Sequence, residues 1–345
     1  MSNEAEATAL EGDDFDEDGP GAGSASRPVE FVEIPFVVEP NYAGWRLDRY
    51  LCEKIRRLSR TRVQHIIRNG LVHDGRVKLK PSTLVTPGLS FRLRKRAQAE
   101  PDTPTHFTEL FRDDALLVVD KPAGLPMHPS ARYTHGTLVG LLERTYGKGF
   151  RADPAHRLDR ETSGIVVCGR TLQACQRLMR SFVEGDVQKE YLAITEGAPE
   201  ADTFEVDAPI AEGTELIRVA VRIDHVEGKR ARTRFEVLRR FERDGSRFAL
   251  VRALPETGRQ HQIRIHLHTA GFPLVGDKMY GPDPAYFDRF SKGQLEPEGW
   301  ARLRLPRHAL HAAAITLPHP VSREPVRFES PLPEDLRLFL EAQQG

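Results

Sequence analysis

Residues 156–164 read His-Arg-Leu-Asp-Arg-Glu-Thr-Ser-Gly and lead directly into the apolar run Ile-Val-Val-Cys at residues 165–168. This stretch places one carboxylate, Asp159, between the guanidinium groups of Arg157 and Arg160. The glycine at position 164 permits a tight turn, and a run of β-branched residues is typical of a buried strand. The order of residues therefore predicts an acidic side chain on a loop that enters a strand of the core. The alternative is a surface Arg–Asp ion pair, which would be common and weak.

Length and composition limit the class of protein. The chain has 345 residues and is 39% hydrophobic, which suits about two domains with real cores. No apolar stretch approaches the roughly 18 residues that cross a bilayer, and acidic residues stand where a signal peptide would carry basic ones. The three cysteines are widely spaced and form no Cys-x-x-Cys pair, which argues against a disulfide framework and a structural zinc site. We expect a reducing, cytoplasmic location and no membrane partner.

The net charge of zero conceals a strong asymmetry along the chain. Residues 1–26 contain eight acidic residues and no Lys or Arg, so the rest of the chain has 50 basic and 42 acidic residues, a net charge of +8. Residues 45–96 alone carry fifteen Lys or Arg against three acidic residues. A concentrated basic segment in a neutral protein favours a polyanionic partner.

Composition and pattern divide the chain into four parts. Residues 1–28 are rich in acid, Gly, Ala and Ser and are predicted to be a disordered acidic tail. Residues 44–97 are predicted to form a small folded unit, 98–107 a linker with two prolines, and 108–345 the main domain. In the main domain, one helix is predicted over 172–182 and strands over 116–119, 165–168, 191–194, 248–251, 263–267 and 313–317. Without a regular βαβ rhythm, this mixture predicts an α+β fold with a mixed, largely antiparallel sheet.

Two short helices and a small sheet are predicted in the basic segment. Leu47, Leu51 and Ile55 recur at helical spacing, and Ser59 is an N-cap candidate for a second helix that ends at Asn69-Gly70. Short strands follow at 71–73 and 89–93. Five arginines lie on the helices and are candidate RNA contacts: Arg56, Arg57, Arg60, Arg62 and Arg68. This order of elements resembles the S4-type RNA-binding domain, although a basic, solvated pair of helices would give the same pattern.

The main domain resembles the RluA-type pseudouridine synthases. Residues 156–164 match the motif H-R-L-D-x-x-T-S-G of that family at all seven fixed positions. Further segments resemble its other motifs in family order: 120–128 (D-K-P-x-G-x-P-x-H), 189–193 (K-x-Y-x-A), 258–266 (G-R-x-H-Q-I-R-x-H), 276–281 (G-D-x-x-Y-G) and 307–312 (R-x-x-L-H-A). The resemblance therefore covers about residues 108–318 and implies the pseudouridine synthase fold.

The resemblance also implies the roles of the site residues. Asp159 is the expected nucleophile, Arg264 its ion-pair partner, and Tyr191 the group that lies against the base and accepts the proton from carbon 5. Arg157, with His156 beside it, is expected to serve RNA binding and base flipping. The reaction isomerises uridine without redox change or net hydrolysis, so no cofactor and no metal are expected. The expected partner is structured RNA, with large-subunit ribosomal RNA first and transfer RNA second, and possible substrates include the large ribosomal subunit or its precursor.

Three alternatives remain open on the sequence. His261, His266 and His268 lie close together and could bind a metal, but on a regular strand His261 would face away from the other two. A hydrolase acting on nucleosides would usually need a second carboxylate at a defined separation from Asp159. A non-catalytic RNA-binding or ribosome-assembly protein would have no need of Asp159, Tyr191 and Arg264 together.

Overall fold

The computed structural model describes residues 31–55, 59–75, 78–96, 100–130, 133, 135–147, 149–213, 220–283 and 285–341. The predicted acidic tail, 1–28, lies outside these residues. The chain divides into two units, one formed by Met1–Asp102 and Pro129–His135 and the other by Thr103–His128 and Gly136–Gly345. In the described part of the chain, no helix combines the length and apolar character needed to span a bilayer.

In its described residues, the first unit contains two α-helices, a short 3-10 helix (Pro40–Tyr42) and a three-stranded antiparallel sheet. The strands are β1 (Phe31–Val37), β2 (Leu71–Val72) and β3 (Ser90–Arg96), in the order β1-β3-β2, and the helices are α1 (Leu47–Lys54) and α2 (Arg60–Gly70). Both predicted helices are confirmed, and the Ser59 hydroxyl caps α2 by accepting a hydrogen bond from the Arg62 amide at 3.3 Å. The sequence did not predict β1, which precedes residue 44 and pairs along its whole length with β3.

The second unit is built on a ten-stranded sheet that runs β4-β5-β7-β14-β8-β13-β12-β9, with β6 paired to β7 and β15 to β14. Its strands are β4 (Thr108–Arg112), β5 (Leu116–Lys121), β6 (Asp153–Pro154), β7 (Ser163–Gly169), β8 (Gln188–Glu196), β9 (Thr203–Asp207), β12 (Arg232–Arg243), β13 (Ser246–Pro255), β14 (Leu310–Pro318) and β15 (Pro325–Glu329). A separate hairpin joins β10 (Ile210–Glu212) to β11 (Val221–Ile223). In the ten-stranded sheet, the described neighbouring strands pair antiparallel, except for β7 and β14, which are parallel to each other. The predicted fold class is confirmed.

The described helices of the second unit are α3 (Leu138–Tyr146), α4 (Leu172–Glu184), α5 (Gln262–Thr269), α6 (Ala285–Ser291), α7 (Pro297–Leu303) and α8 (Glu334–Glu341). Strand β7 is buried on both faces, which explains its continuous apolar run. Val166 packs in a cluster with Leu142 of α3, while Val167 packs in a second cluster with Leu178 of α4. The predicted helix at 172–182 is confirmed as α4, which the Thr171 hydroxyl caps at the Ala174 amide.

One predicted strand is wrong. Residues 263–267 belong to the helix α5, while the other five predicted strands lie in β5, β7, β8, β13 and β14. The alternation of Ile263, Ile265 and Leu267 looks strand-like, yet residues 262–267 of α5 are all buried. A short helix buried on all sides shows no polar face, so periodicity alone cannot separate it from a strand.

Gly164 places the loop that precedes β7 against β14. Its φ angle is +115°, and a Cβ at this position would collide with the backbone of Ala312, its Cα partner in the parallel pairing. Only glycine combines this backbone conformation with so close an approach. The predicted tight entry into a buried strand is confirmed, and it places residues 157–162 at the start of β7, where the candidate site lies.

Candidate active site

Asp159 lies in the wall of a partly open cavity in the second unit. The cavity is lined by the 157–162 loop, by Lys189 and Tyr191 of β8, by residues 255–261, and by the first turn of α5. The Asp159 side chain keeps 20% of its surface accessible, so it is neither sealed in the core nor open to bulk solvent. Asp159, Tyr191, Arg264 and Arg157 all line this cavity, so the structure brings together four of the residues selected from the sequence.

Arg264 connects Asp159 to a second, fully buried carboxylate. Its Nη1 donates to Asp159 Oδ2 at 3.0 Å, while Nε and Nη2 donate to the two oxygens of Asp277 at 2.7 and 2.9 Å. Asp277 also accepts the backbone N–H groups of Met279 and Tyr280 at 2.9 and 3.0 Å. The bidentate pair holds the guanidinium in one plane and aims its remaining edge at Asp159. Asp277 thus orients the partner of the candidate nucleophile.

The electrostatics keep Asp159 ionised. Burial by itself would raise the pKa of its carboxyl, but the nearby His261 and Arg264, followed by His308 and the hydrogen bond from Arg264, outweigh burial and leave the pKa below its usual value. His261 and His308 lie near enough to contribute, yet burial lowers their pKa values to about 4 and about 3. Both imidazoles are therefore neutral at pH 7, and Arg264 supplies the lasting positive charge.

Tyr191 stands on the cavity face of β8 as a neutral phenol. Burial, and then the negative charge of Asp159, raise the pKa of Tyr191 above its ordinary value. A tyrosine in this state does not ionise at physiological pH. It can accept a proton only while passing on its own, so its chemistry is that of a relay or a packing surface and not of a preformed phenolate.

His261 is a cavity residue that sequence reasoning treated only as a metal candidate. It has a left-handed backbone conformation with φ of +53° and precedes the first residue of α5. Its Nε2 lies 3.8 Å from Asp159 Oδ1, and its Nδ1 is 2.9 Å from the hydroxyl of Tyr280, which accepts the Val221 amide. The sequence signal available for His261 was its place in the 258–266 motif. Its left-handed conformation is costly for a residue other than glycine, and such strained residues cluster at functional sites.

The other two histidines considered as metal ligands, His266 and His268, form hydrogen bonds with protein groups instead. His266 is fully buried, with Nδ1 3.0 Å from the hydroxyl of Thr233 and Nε2 3.0 Å from the carbonyl of Ala208. His268 meets the carbonyl of Tyr280 through Nδ1 at 2.7 Å. In the described ranges, no group of three His, Cys, Asp or Glu side chains is placed to hold a metal ion.

Arg157 and His156 occupy different surroundings although they are adjacent in sequence. Arg157 is exposed and lines the cavity. The His156 ring packs against Phe182 with 4.8 Å between centroids, and its Nε2 accepts the Val167 amide at 3.0 Å. Burial lowers the pKa of His156 to about 4. The structure therefore does not bring His156 to the cavity with the other selected residues.

Lys121 anchors the loop that carries Asp159. It is fully buried, and its ammonium donates to the carbonyls of Pro122 and Leu125, each at 2.9 Å, and of Arg160 at 3.2 Å. Burial lowers the pKa of Lys121 to about 7, while Asp159 acts in the opposite direction. This lysine ties the 120–126 motif to the 156–164 motif, a link that their separation in sequence conceals.

A second ion pair fixes Glu161, the residue two positions after Asp159. Lys278 Nζ donates to both carboxylate oxygens of Glu161, at 3.1 and 3.0 Å, and to the carbonyl of Pro306 at 2.6 Å. His308 Nε2 lies 2.7 Å from the hydroxyl of Thr162. Two residues that follow Asp159, Glu161 and Thr162, are thus held by side chains from distant segments.

In the first unit, Arg60 is part of an internal network. Asp48 is fully buried and accepts hydrogen bonds from Arg46, Arg60 and Gln64. Burial would raise the pKa of Asp48, but these donors lower it well below its usual value. The Arg60 side chain remains 60% exposed, so it can still reach a ligand through its free edge.

The other arginines of the predicted RNA surface differ in what the structure describes. Arg68 is exposed and Arg62 is partly exposed on α2. Arg56 and Arg57 lie outside the described residues.

With this geometry in view, comparisons with known proteins identify the class. Residues 115–269 match the family described as RNA pseudouridylate synthase. The chain is 37% identical to ribosomal large subunit pseudouridine synthase D of Nitrosomonas europaea, over 94% of this chain and 91% of the relative. It is 32% identical to ribosomal large subunit pseudouridine synthase C of Escherichia coli, over 87% of this chain and 93% of the relative. The fold and cavity are those of an RNA-modifying isomerase.

Solved structures agree with this class. Human RNA pseudouridylate synthase domain containing 1 superposes with a TM-score of 0.53 at 26% identity, covering 71% of this chain and 97% of its own. Human RNA pseudouridylate synthase domain containing 4 gives 0.52 at 29% identity, covering 67% and 90%. This chain belongs to the RluA-type RNA pseudouridine synthases, which confirms the resemblance found in its motifs.

Proposed function

We propose that this enzyme converts particular uridines of large-subunit ribosomal RNA to pseudouridine, with Asp159 as the nucleophile. The observation that carries the mechanism is the 3.0 Å ion pair between Asp159 and Arg264 in a cavity that Tyr191 also lines. The names of the relatives from Nitrosomonas europaea and Escherichia coli support the ribosomal substrate. Transfer RNA is the second choice of substrate.

The reaction requires an anionic nucleophile beside the glycosidic bond. The lowered pKa of Asp159 keeps its carboxylate ionised, and its accessible surface faces the cavity. Arg264 holds one carboxylate oxygen, which leaves the other available to the substrate. Attack at the sugar carbon C1′ and attack at carbon 6 of uracil are both compatible with this arrangement.

We assign Tyr191 to the face of the base. Its ring stands in the cavity wall beside Asp159, and its phenol is neutral. The proton released from carbon 5 of uracil therefore leaves through Tyr191 only by relay, as the phenol gives up its own proton to a further acceptor. The ring also supplies an apolar surface against which the base can turn.

The target uridine must leave its stack before it reaches the cavity, at a cost of a few kcal/mol. Arg157 is exposed at the cavity and is the residue we assign to the space that the base vacates. His156 would then act indirectly, by fixing the backbone before Arg157 through its bond to Val167. Phosphate contacts elsewhere can offset the cost of extrusion.

We assign those phosphate contacts to an S4-type domain at residues 44–97, with 98–107 as linker and 108–345 as the catalytic domain. Arg60, Arg62 and Arg68 lie on or at the start of α2, and Arg56 and Arg57 precede it in sequence. Such contacts set affinity and orientation more than base preference. The proposed ribosomal RNA substrate supports a cytoplasmic location.

The test is a pseudouridine map of total RNA from cells with and without the gene, complemented by wild type or by Asp159→Asn. We expect one or more ribosomal positions to lose pseudouridine, to regain it with wild type, and to stay unmodified with the variant. Asp159→Asn should still bind the RNA. Asp288→Asn, which removes an exposed carboxylate paired with Lys292, is the matched control and should complement. Loss confined to transfer RNA would overturn the ribosomal substrate, and activity of Asp159→Asn would overturn the nucleophile.

A further inference from the structure

Lys189 is a cation in the active-site cavity to which the mechanism above gives no task. It lies on β8 two residues before Tyr191, so the two side chains share the face of the strand that lines the cavity. Its Nζ donates to the carbonyl of Thr257 at 2.9 Å, in the loop that closes the cavity beside α5. This bond fixes the ammonium against a residue that also lines the cavity and leaves two of its three N–H groups for a ligand.

Lys189 has no carboxylate partner among the residues that the structure describes. Its strand neighbour Glu190 projects to the other face, where it pairs with Arg252 and Arg327. His156, which is neutral, is close enough to Lys189 for the lysine charge to lower its pKa. The cavity lining that includes Lys189 also contains the neutral phenol of Tyr191 and four charged side chains, those of Asp159, Arg157, Arg259 and Arg264. Desolvation lowers the pKa of Lys189 to about 8, so the ammonium is still charged at pH 7. A half-buried, uncompensated cation costs folding free energy, and a cavity that tolerates it is suited to an anion.

The depth of Lys189 distinguishes it from the phosphate-binding groups. Arg157 and Arg259 also line the cavity, but both are exposed and can meet a hydrated phosphate at its mouth. A phosphate is charged at every stage, and strong hydration favours its staying at that mouth. Uracil enters neutral and gains negative charge only during the reaction. A desolvated ammonium already fixed in place favours charge that develops in the transition state.

Both routes of the reaction put that charge on the carbonyl oxygens of uracil. If Asp159 attacks C1′, the N1–C1′ bond breaks and its electron pair spreads over the ring to O2 and O4. If Asp159 adds at carbon 6, the pair displaced from the C5–C6 double bond moves to O4. In either case the N1–C1′ bond is broken and C1′ bonds to C5. The bond to Asp159 then breaks and restores the carboxylate, the proton leaves C5, and N1 takes up one proton, so the product is an isomer.

We propose that Lys189 is a further catalytic residue that donates a hydrogen bond to a uracil carbonyl oxygen and stabilises the anionic base while it is detached or turning. This inference rests on the proposed function. It assigns the cavity a subsite for a planar, resonance-stabilised oxyanion, with Tyr191 as the neighbouring wall. The Thr257 carbonyl orients the ammonium, and Lys189 contacts the reacting base.

The experiment uses the full chain and an in vitro transcript of the ribosomal segment that contains the mapped uridine. Lys189→Met removes the charge and keeps an unbranched side chain, Lys189→Arg keeps the charge, and Lys292→Met removes an exposed lysine as the matched control. We expect Lys189→Met to lower the single-turnover rate at saturating RNA by about 100-fold, the loss typical of one oxyanion donor. Its RNA affinity should stay at the wild-type value, and its melting temperature should not fall below that of wild type. Lys189→Arg should recover at least about tenfold of that loss, because the charge is retained in a different geometry.

Three results would overturn the inference. The first is a Lys189→Met rate equal to that of wild type and Lys292→Met. The second is weaker RNA binding with a smaller salt dependence and an unchanged saturated rate, which would mark a phosphate contact. The third is an equally slow Lys189→Arg enzyme with normal folding, which would mark a packing role. Failure of the proposed function looks different, because wild type itself would then leave the transcript unmodified.

Discussion

Replacing Asp277 by Asn should destabilise the catalytic unit far more than its conservative chemistry suggests. Asp277 is fully buried and accepts four hydrogen bonds, two from Arg264 and two from backbone amides, at 2.7–3.0 Å. An amide offers one acceptor oxygen, turns an NH2 group toward a donor, and leaves the buried Arg264 with Asp159 alone. Breaking a buried pair in this way costs about 3–5 kcal/mol. At about 2–4 °C per kcal/mol for a unit of this size, the melting temperature should fall by roughly 6–20 °C.

The pH dependence of this loss gives a sharper check. The pKa of Asp277 is lowered in the folded protein, since Arg264 and the amide donors outweigh the effect of burial, and its ordinary value is 3.8. The stability it contributes is therefore fully present above about pH 5 and is lost as pH falls below 3.8. The gap between wild type and Asp277→Asn should be constant from pH 5 to 8 and should shrink by at most about 1.4 kcal/mol per pH unit below pH 4.

Urea unfolding followed by circular dichroism measures the loss in free energy of unfolding and its dependence on pH, and thermal unfolding measures the melting temperature. The matched control is Asp288→Asn, whose exposed pair with Lys292 should contribute at most about 1 kcal/mol. A destabilisation by Asp277→Asn no larger than that of the control would refute the reasoning. So would a gap that grows as the solution is acidified.

Three further predictions concern single positions. Gly164→Ala should lower the melting temperature well below that of Gly185→Ala, because a Cβ at 164 collides with the Ala312 backbone while a Cβ at 185 meets no atom within 4 Å. The single-turnover rate should fall as pH rises through about 8, where the Lys189 ammonium deprotonates, and Lys189→Arg should move this limb to higher pH. Arg68→Ala should weaken RNA binding across sequences and reduce the slope of log affinity against log salt by about 1, as titrated binding would show.

Each of these has a contrary outcome. Equal melting temperatures for the two glycine variants would mean that the β7–β14 approach relaxes freely. If the fall in single-turnover rate occurs at the same pH in Lys189→Arg as in wild type, the group that titrates there is not Lys189. An unchanged salt slope for Arg68→Ala would remove α2 from the RNA surface.

Local elements of the fold were predictable because their signals are local. The hydroxyls of Ser59 and Thr171 each cap a helix by accepting the backbone amide three residues further along the chain. The apolar runs at 116–119 and 165–168 are strand-like by themselves, whichever strands they pair with. Strand β1 was missed because its pairing with β3 joins residues about 60 positions apart. Helix α5 was mistaken for a strand because its burial on every side removes the polar face that would reveal a helix.

The same difference between local signals and long-range contacts applies to the residues of the candidate site. Asp159, Tyr191 and Arg264 could be selected from motifs, and the structure gathers them at one cavity. Asp277 and Lys121 also stand in motifs, but their work is to hold Arg264 and the Asp159 loop, and this depends on contacts that span 13 to 39 positions. His156 stands in the strongest motif and yet packs against Phe182, away from the cavity.

The amino-acid order alone determined which chemical groups this protein carries at its candidate sites: a carboxylate among arginines, a tyrosine, and a basic helical segment. Only the tertiary structure decided their protonation states and surroundings. Asp159 remains an anion because Arg264 reaches it across 105 positions, while Tyr191 and His261 remain neutral because they are desolvated. Desolvation and charge pairing are properties of assembled surfaces, so no reading of neighbouring residues can supply them.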